Sequence, residues 1–111
     1  MKSKLHNEYK QLSLNLKNIT LCETPKYARN NNWLNIIKVK KNHRNKILKR
    51  LLSKNIQARP IWYLNHLQKQ FKNNQFYKIN KASELHNESI CLPSSYHLKP
   101  QDVKKILKNI I

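Results

Sequence analysis

A guanidinium, an indole, a phenol and an imidazole fall within eight residues of one another in the run Ile56-Gln57-Ala58-Arg59-Pro60-Ile61-Trp62-Tyr63-Leu64-Asn65-His66. Pro60 biases Arg59 away from helix and toward extended backbone. An extended run projects alternate side chains to opposite faces, so Arg59 and Tyr63 share a face that Trp62 does not. Only four of the 23 cationic residues are arginines. Arginine presents a planar fork to phosphate or carboxylate, whereas lysine acts as a compact point charge. The segment is therefore the first candidate for an anion-binding site. For Trp62, core packing is the plainer reading and ligand contact the sharper one. His66 divides evenly between capping a helix and touching a ligand. Arg59 favours function, because a solvated surface poorly explains an arginine before proline in an aromatic strand.

Other site chemistry has little support. His6, His43, His66, His86 and His97 show no metal-ligand spacing with Cys22 or Cys91, so no metal site is expected. The five carboxylates include Glu84 and Glu88 one helical turn apart, with no evident partner for acid–base work. The absence of glycine removes phosphate loops and dinucleotide fingerprints. Ser94 and Ser95 after Pro93 read as a turn with local side-chain bonds. Cys22 and Cys91 are isolated and read as two reduced thiols in a cytoplasmic protein.

The elements that must hold these residues follow from periodicity. Leu5, Tyr9, Leu12 and Leu16 give a helical stripe over residues 3–17. Asn18 to Asn32 reads as an irregular connection and the only plausible hinge. Trp33 to Val39 reads as a strand with Trp33 in the core. Asn42 caps a helix whose buried stripe is Ile47, Leu48, Leu51 and Leu52, and Asn55 stands where that helix needs a left-handed residue. Gln57 to Tyr63 forms a second strand, placed by Pro60 at an edge or interrupted there. Leu64 to Phe76 is a polar connection with short helical potential. Ala82 to His86 forms a short helix, and Ser89 to Leu92 a third apolar piece. Pro100 opens a last helix with Asp102 in its first turn and Val103, Ile106, Leu107 and Ile110 as its stripe. The fold class is α+β: a three-stranded sheet with helices packed on one face.

A chain of 111 residues with 39% hydrophobic content suits one small domain rather than disorder. No apolar run approaches the ~18–20 residues that span a bilayer, and no apolar segment of a signal peptide follows Met1. The net charge of +18 raises nucleic acid as a partner. Yet 19 lysines, 16 asparagines and 11 isoleucines, with no glycine, match drift toward A/T-rich codons. The cations are spread out, and no cationic run is longer than two residues, as at Lys40-Lys41. Weak, salt-dependent polyanion binding is expected on charge alone.

Taken in order, Asn32-Trp33-Leu34, then Ile56-Gln57-Ala58-Arg59-Pro60-Ile61-Trp62 with His66, then Ile90-Cys91-Leu92-Pro93-Ser94-Ser95 with Leu98, resemble the C-terminal domain of the DegT/DnrJ/EryC1/StrS aminotransferases. The resemblance covers residues 5–111, and departs where Asn55 replaces the family's usual glycine. It implies the small domain of a fold-type I, pyridoxal-phosphate-dependent enzyme that aminates nucleotide-linked keto-deoxyhexoses for bacterial surface glycans. It further implies residues 1–30 as an interdomain helix and connection, and 31–111 as the small C-terminal domain. The cofactor would belong to a large domain outside these residues, since none of the lysines stands in the Ser/His-rich setting of the family's Schiff-base lysine. The implied partners are a nucleotide-sugar, that large cofactor domain and, in the full-length enzyme, a second copy. Arg59, Trp62 and His66 would bind substrate, no residue here would be catalytic, and the chain would not transaminate alone. The alternative is a small basic protein binding RNA or another polyanion through Lys, Tyr and Trp.

Overall fold

A computed structural model describes residues 2–111, which form four helices, four strands and two short 3-10 turns among the described residues. In chain order these are α1 (Lys2–Ser13), β1 (Ile19–Leu21), β2 (Asn35–Val39), α2 (Arg44–Ser53), β3 (Arg59–Pro60), the 3-10 turns Asn65–Leu67 and Lys69–Phe71, α3 (Asn80–Glu88), β4 (Ser89–Leu92) and α4 (Pro100–Lys108). The sheet is antiparallel throughout, in the order β1-β2-β4-β3. It has four strands rather than the expected three. The added strand, Ile19–Leu21, lies inside the stretch read as an irregular connection, because three residues are too few to show alternation.

Register explains the layering. Ile19 faces Val39, Leu21 faces Ile37, and Ile37 faces Ile90. These side chains share one face, where Leu5 and Tyr9 of α1, Ile47 and Leu51 of α2, and Val103, Ile106 and Leu107 of α4 join them in a single core. Lys38 points to the opposite face, as alternation requires. There it meets Glu84 at 3.5 Å and Glu88 at 3.4 Å, both on α3. Helices therefore do not all lie on one face: α3 buries no residue and is tied to the other side by charge.

Local chemistry sets the ends of the elements. α2 closes as expected at Asn55, which takes φ 56°. The Asn55 N–H donates to the Leu52 carbonyl and the Ile56 N–H to the Leu51 carbonyl, both at 2.9 Å, which is the Schellman pattern. Asn42 does not cap α2; it turns the chain at φ 69°, and His43 is the boundary residue. The buried stripe is narrower than expected, since Leu52 is exposed. α1 ends at Ser13, not at residue 17. The Lys99 N–H donates to Asp102 Oδ2 at 2.8 Å and opens α4. No helix among the described residues is long and apolar enough to cross a membrane.

Candidate functional site

Arg59 stands in β3, the edge strand, with its partner Cys91 on β4. β3 is two residues long, not the seven expected from Gln57 to Tyr63, and both residues are exposed. Pro60 has no N–H for a ladder, so pairing stops there. One row of the sheet runs Cys22, Ile36, Cys91, Arg59, because the Cys22 N–H donates to the Ile36 carbonyl and Ile36 pairs with Cys91. This row lies on the face opposite the core. Burial raises both thiols above their ordinary value; Lys38 opposes this at Cys22, and Cys22 adds to it at Cys91. A whole strand separates the two cysteines. At ~4.8 Å per strand their Cα atoms stand beyond the ~7 Å limit of a disulfide.

Beyond Pro60 the chain leaves the sheet. β3 runs in the same direction as β2, so a straight continuation would carry residue 62 toward the Val39 end. Trp62 instead meets Trp33, which precedes β2, with ring centroids 6.1 Å apart and planes tilted by 50°. Neither indole is in the core: Trp33 is 61% and Trp62 65% exposed. This overturns the core reading of both residues. The Asn30-Asn31-Asn32 run places Trp33. Asn30 Oδ1 accepts from the Asn32 N–H at 2.9 Å, and Asn31 Oδ1 accepts from the Trp33 N–H at 3.0 Å. Asn32 itself takes φ 53°. These side chains substitute for backbone partners and turn the chain just ahead of Trp33.

His66 lies within the 3-10 turn Asn65–Leu67 and caps no helix. Its ring meets Phe76 with centroids 5.4 Å apart and planes tilted by 42°, and with Asn65, Phe71, Asn74 and Tyr77 it lines a pocket of about 320 Å³. Neither Arg59 nor Trp62 lines that pocket. The three expected residues are therefore not brought into one site: Arg59 stands on the edge strand, Trp62 in an open aromatic pair with Trp33, and His66 in an aromatic-amide pocket.

Sequence reasoning missed two supports of this region. His86, in the last turn of α3, donates from Nδ1 to the Trp62 carbonyl at 3.1 Å. Asn35, fully buried, donates its backbone N–H and Nδ2 to Ser94 Oγ at 2.9 and 3.1 Å, and its Oδ1 accepts from His6 Nδ1 at 3.0 Å. Ser94 also donates locally to the Leu92 carbonyl, as its turn setting suggested, but its ties to Asn35 are long-range. Polar residues in an apolar strand were the available signal for Asn35; His86 had none.

The charged groups are ion pairs rather than acid–base machinery. Lys81 first, and Lys38 after it, hold the Glu84 carboxyl below its ordinary value. The bond to Glu88 raises Lys38. No cluster of three metal-ligating side chains occurs among the described residues.

Over residues 1–111 the chain matches the model of the DegT/DnrJ/EryC1/StrS aminotransferase family. Its fold is shared with TlmJ, an aminotransferase from Streptoalloteichus hindustanus, at TM-score 0.85 and 14% identity over 98% of this chain. It is shared equally with PseC of Helicobacter pylori, an aminotransferase of pseudoaminic acid biosynthesis, at TM-score 0.84 and 15% identity over 98% of the chain. A putative sugar aminotransferase from Streptococcus pneumoniae gives TM-score 0.84 at 20% identity, again over 98%. The chain spans only 29%, 30% and 29% of those three proteins. With a family match across its whole length and the same fold in such enzymes, the chain belongs to the DegT/DnrJ/EryC1/StrS aminotransferase family.

Proposed function

We propose that this chain is the substrate-covering part of a fold-type I, pyridoxal-phosphate-dependent enzyme. That enzyme moves an amino group to a nucleotide-linked keto-deoxyhexose destined for a surface glycan. The observation that carries this reading is the family match over residues 1–111 in a chain spanning under a third of its structural relatives. One such relative was solved with a TDP-sugar product, and another in both PMP and PLP forms.

The residues present do not fit the cofactor. A Schiff-base lysine needs its amine pushed down toward neutrality. Lys38, the lysine centred on the sheet, is instead pushed up by Glu88 and Glu84. Those two carboxylates are taken by lysines, and Asp102 by the Lys99 amide. No chemical step is therefore assigned to this chain. A larger cofactor domain supplies it when present, and a second copy completes the enzyme. Residues 1–30 form the connection to that domain, and residues 31–111 the small domain that closes over substrate.

In this reading Arg59 pairs with the pyrophosphate, and Trp62 and His66 face the nucleotide-sugar. The test is kinetic, in an enzyme that contains this chain together with its cofactor domain. Replacing Arg59 by Ala removes a charge-assisted bond of about 1.5–3 kcal/mol. The expected result is a rise in nucleotide-sugar KM of about tenfold or more. Unchanged kinetics would remove Arg59 from the site.

A further inference from the structure

The segment carrying Trp62 has little backbone support of its own. Ladder pairing with β4 ends at Pro60. The Tyr63 carbonyl accepts only from Gln68 Nε2, a neighbour five residues on in the same segment. The Trp62 carbonyl, by contrast, accepts from His86 Nδ1 at 3.1 Å, across 24 residues of sequence. The His86 ring also meets Tyr63 edge-on, with centroids 5.7 Å apart and planes at 77°. The backbone carbonyl of His86 in turn accepts from the Arg44 guanidinium on α2, 42 residues away. A continuous set of contacts thus runs from α2, through the end of α3, to the peptide that bears Trp62.

We propose that His86 is a positioning residue: by holding the Trp62 carbonyl it fixes that peptide plane and so sets the Trp33–Trp62 pair that the domain presents. A carbonyl only accepts, so the hydrogen must sit on Nδ1. The bond settles the direction of the Trp62 peptide, and contact with Trp33 settles the indole. Without the bond, the backbone of residues 61–63 keeps only its exit from β3 and the local tie to Gln68, and ring contacts alone hold the side chains. That these indoles face a nucleotide-sugar rests on the function proposed above; that His86 sets them does not.

The test uses this chain alone, through the optical coupling of two indoles in contact. Trp33→Phe and Trp62→Phe each leave one indole and supply the uncoupled reference for the far-ultraviolet circular dichroism spectrum. His86→Asn keeps an amide donor close to the position of Nδ1 and loses the ring. His86→Phe keeps the ring against Tyr63 and loses the donor. The indole couplet is expected to survive in His86→Asn and to lose most of its amplitude in His86→Phe. α3 buries no residue, so both variants should unfold at about the temperature of the parent chain. An intact couplet in His86→Phe, or equal loss in both variants, overturns the proposal. In the complete enzyme, His86→Phe should raise nucleotide-sugar KM several-fold with kcat kept, and His86→Asn should restore it. The optical result needs neither sugar nor cofactor, so a failed aminotransferase assay does not decide it.

Discussion

Tyr9 shows how one side chain can tie the domain together and lend it a pH dependence. It is fully buried in the α1 stripe, and its hydroxyl donates to the Pro93 carbonyl at 2.8 Å, so α1 is fastened to the turn that follows β4. Burial first, and the Asp102 charge second, raise the phenol above its ordinary value of 10.0. The sign follows from which state keeps the proton. Below pH 10 both states hold it and the stabilisation is complete; above pH 10 the unfolded chain releases it while the folded chain does not, and stability falls. Tyr9→Phe should leave the Pro93 carbonyl without its partner and cost about 1–3 kcal/mol near neutrality. It should also flatten the loss of stability above pH 10, measured by urea unfolding across the alkaline range. A variant as stable as the parent at pH 7, with the same alkaline slope, would show that this hydroxyl bond contributes nothing. Asn35 works at the same scale: its amide joins His6 of α1 to Ser94, so the start of β2 is set from both sides.

Among the elements, the end of α2 is where a residue choice most directly governs backbone shape. Asn55 holds φ 56° in a chain without glycine, and its Schellman bonds deliver Ile56 to the core three residues before Arg59. Asn55→Val should cost about 1–2 kcal/mol, because a β-branched residue clashes in the left-handed region. Asn55→Gly should be neutral or stabilising. Paired melting curves decide it, and a Val variant equal to the Gly variant would mean that the helix end has relaxed to another conformation. This cap was legible in the sequence, as were α4, with its stripe and Pro100, and the strand at Ser89–Leu92, since each carries a repeated or position-specific signal. β1 was not legible, because Ile19–Leu21 pairs through long-range register with β2 and three residues carry no period of their own. Nor was the exposure of Trp33 and Trp62: composition places tryptophan in cores, whereas the turn made by Asn30 and Asn31, the break after Pro60 and the long-range bond from His86 bring the two indoles together outside. Arg59 and His66 were legible as residue types, but their separation into different groups depends on a segment folded back by tertiary contact.

At the scale of the whole molecule, the charge of +18 is not evenly placed. Glu84 and Glu88 lie with α3 against Lys38, and Glu23 pairs with Lys10 at 2.8 Å. α2 carries Arg44, Lys46, Lys49 and Arg50 with no acid, and α4 carries Lys104, Lys105 and Lys108 against Asp102 alone. Arg50 reaches the Ile111 carbonyl, so the end of α4 comes up beside α2. α2 and the adjoining end of α4 therefore form one basic surface, apart from β3, which carries Arg59, and from the aromatic pair. Polyanion attraction and the candidate sugar site are thus separable by mutation. Lys46→Glu with Lys49→Glu should shift elution from heparin to markedly lower salt, and Arg59→Ala should barely move it. Release of the parent chain below roughly 150–200 mM salt is expected for bulk electrostatics, since such binding weakens steeply with counterion concentration. Retention well above that range, abolished by Trp33→Ala or Trp62→Ala, would instead favour stacking on nucleic-acid bases. It would assign the aromatic pair to RNA rather than to a nucleotide-sugar.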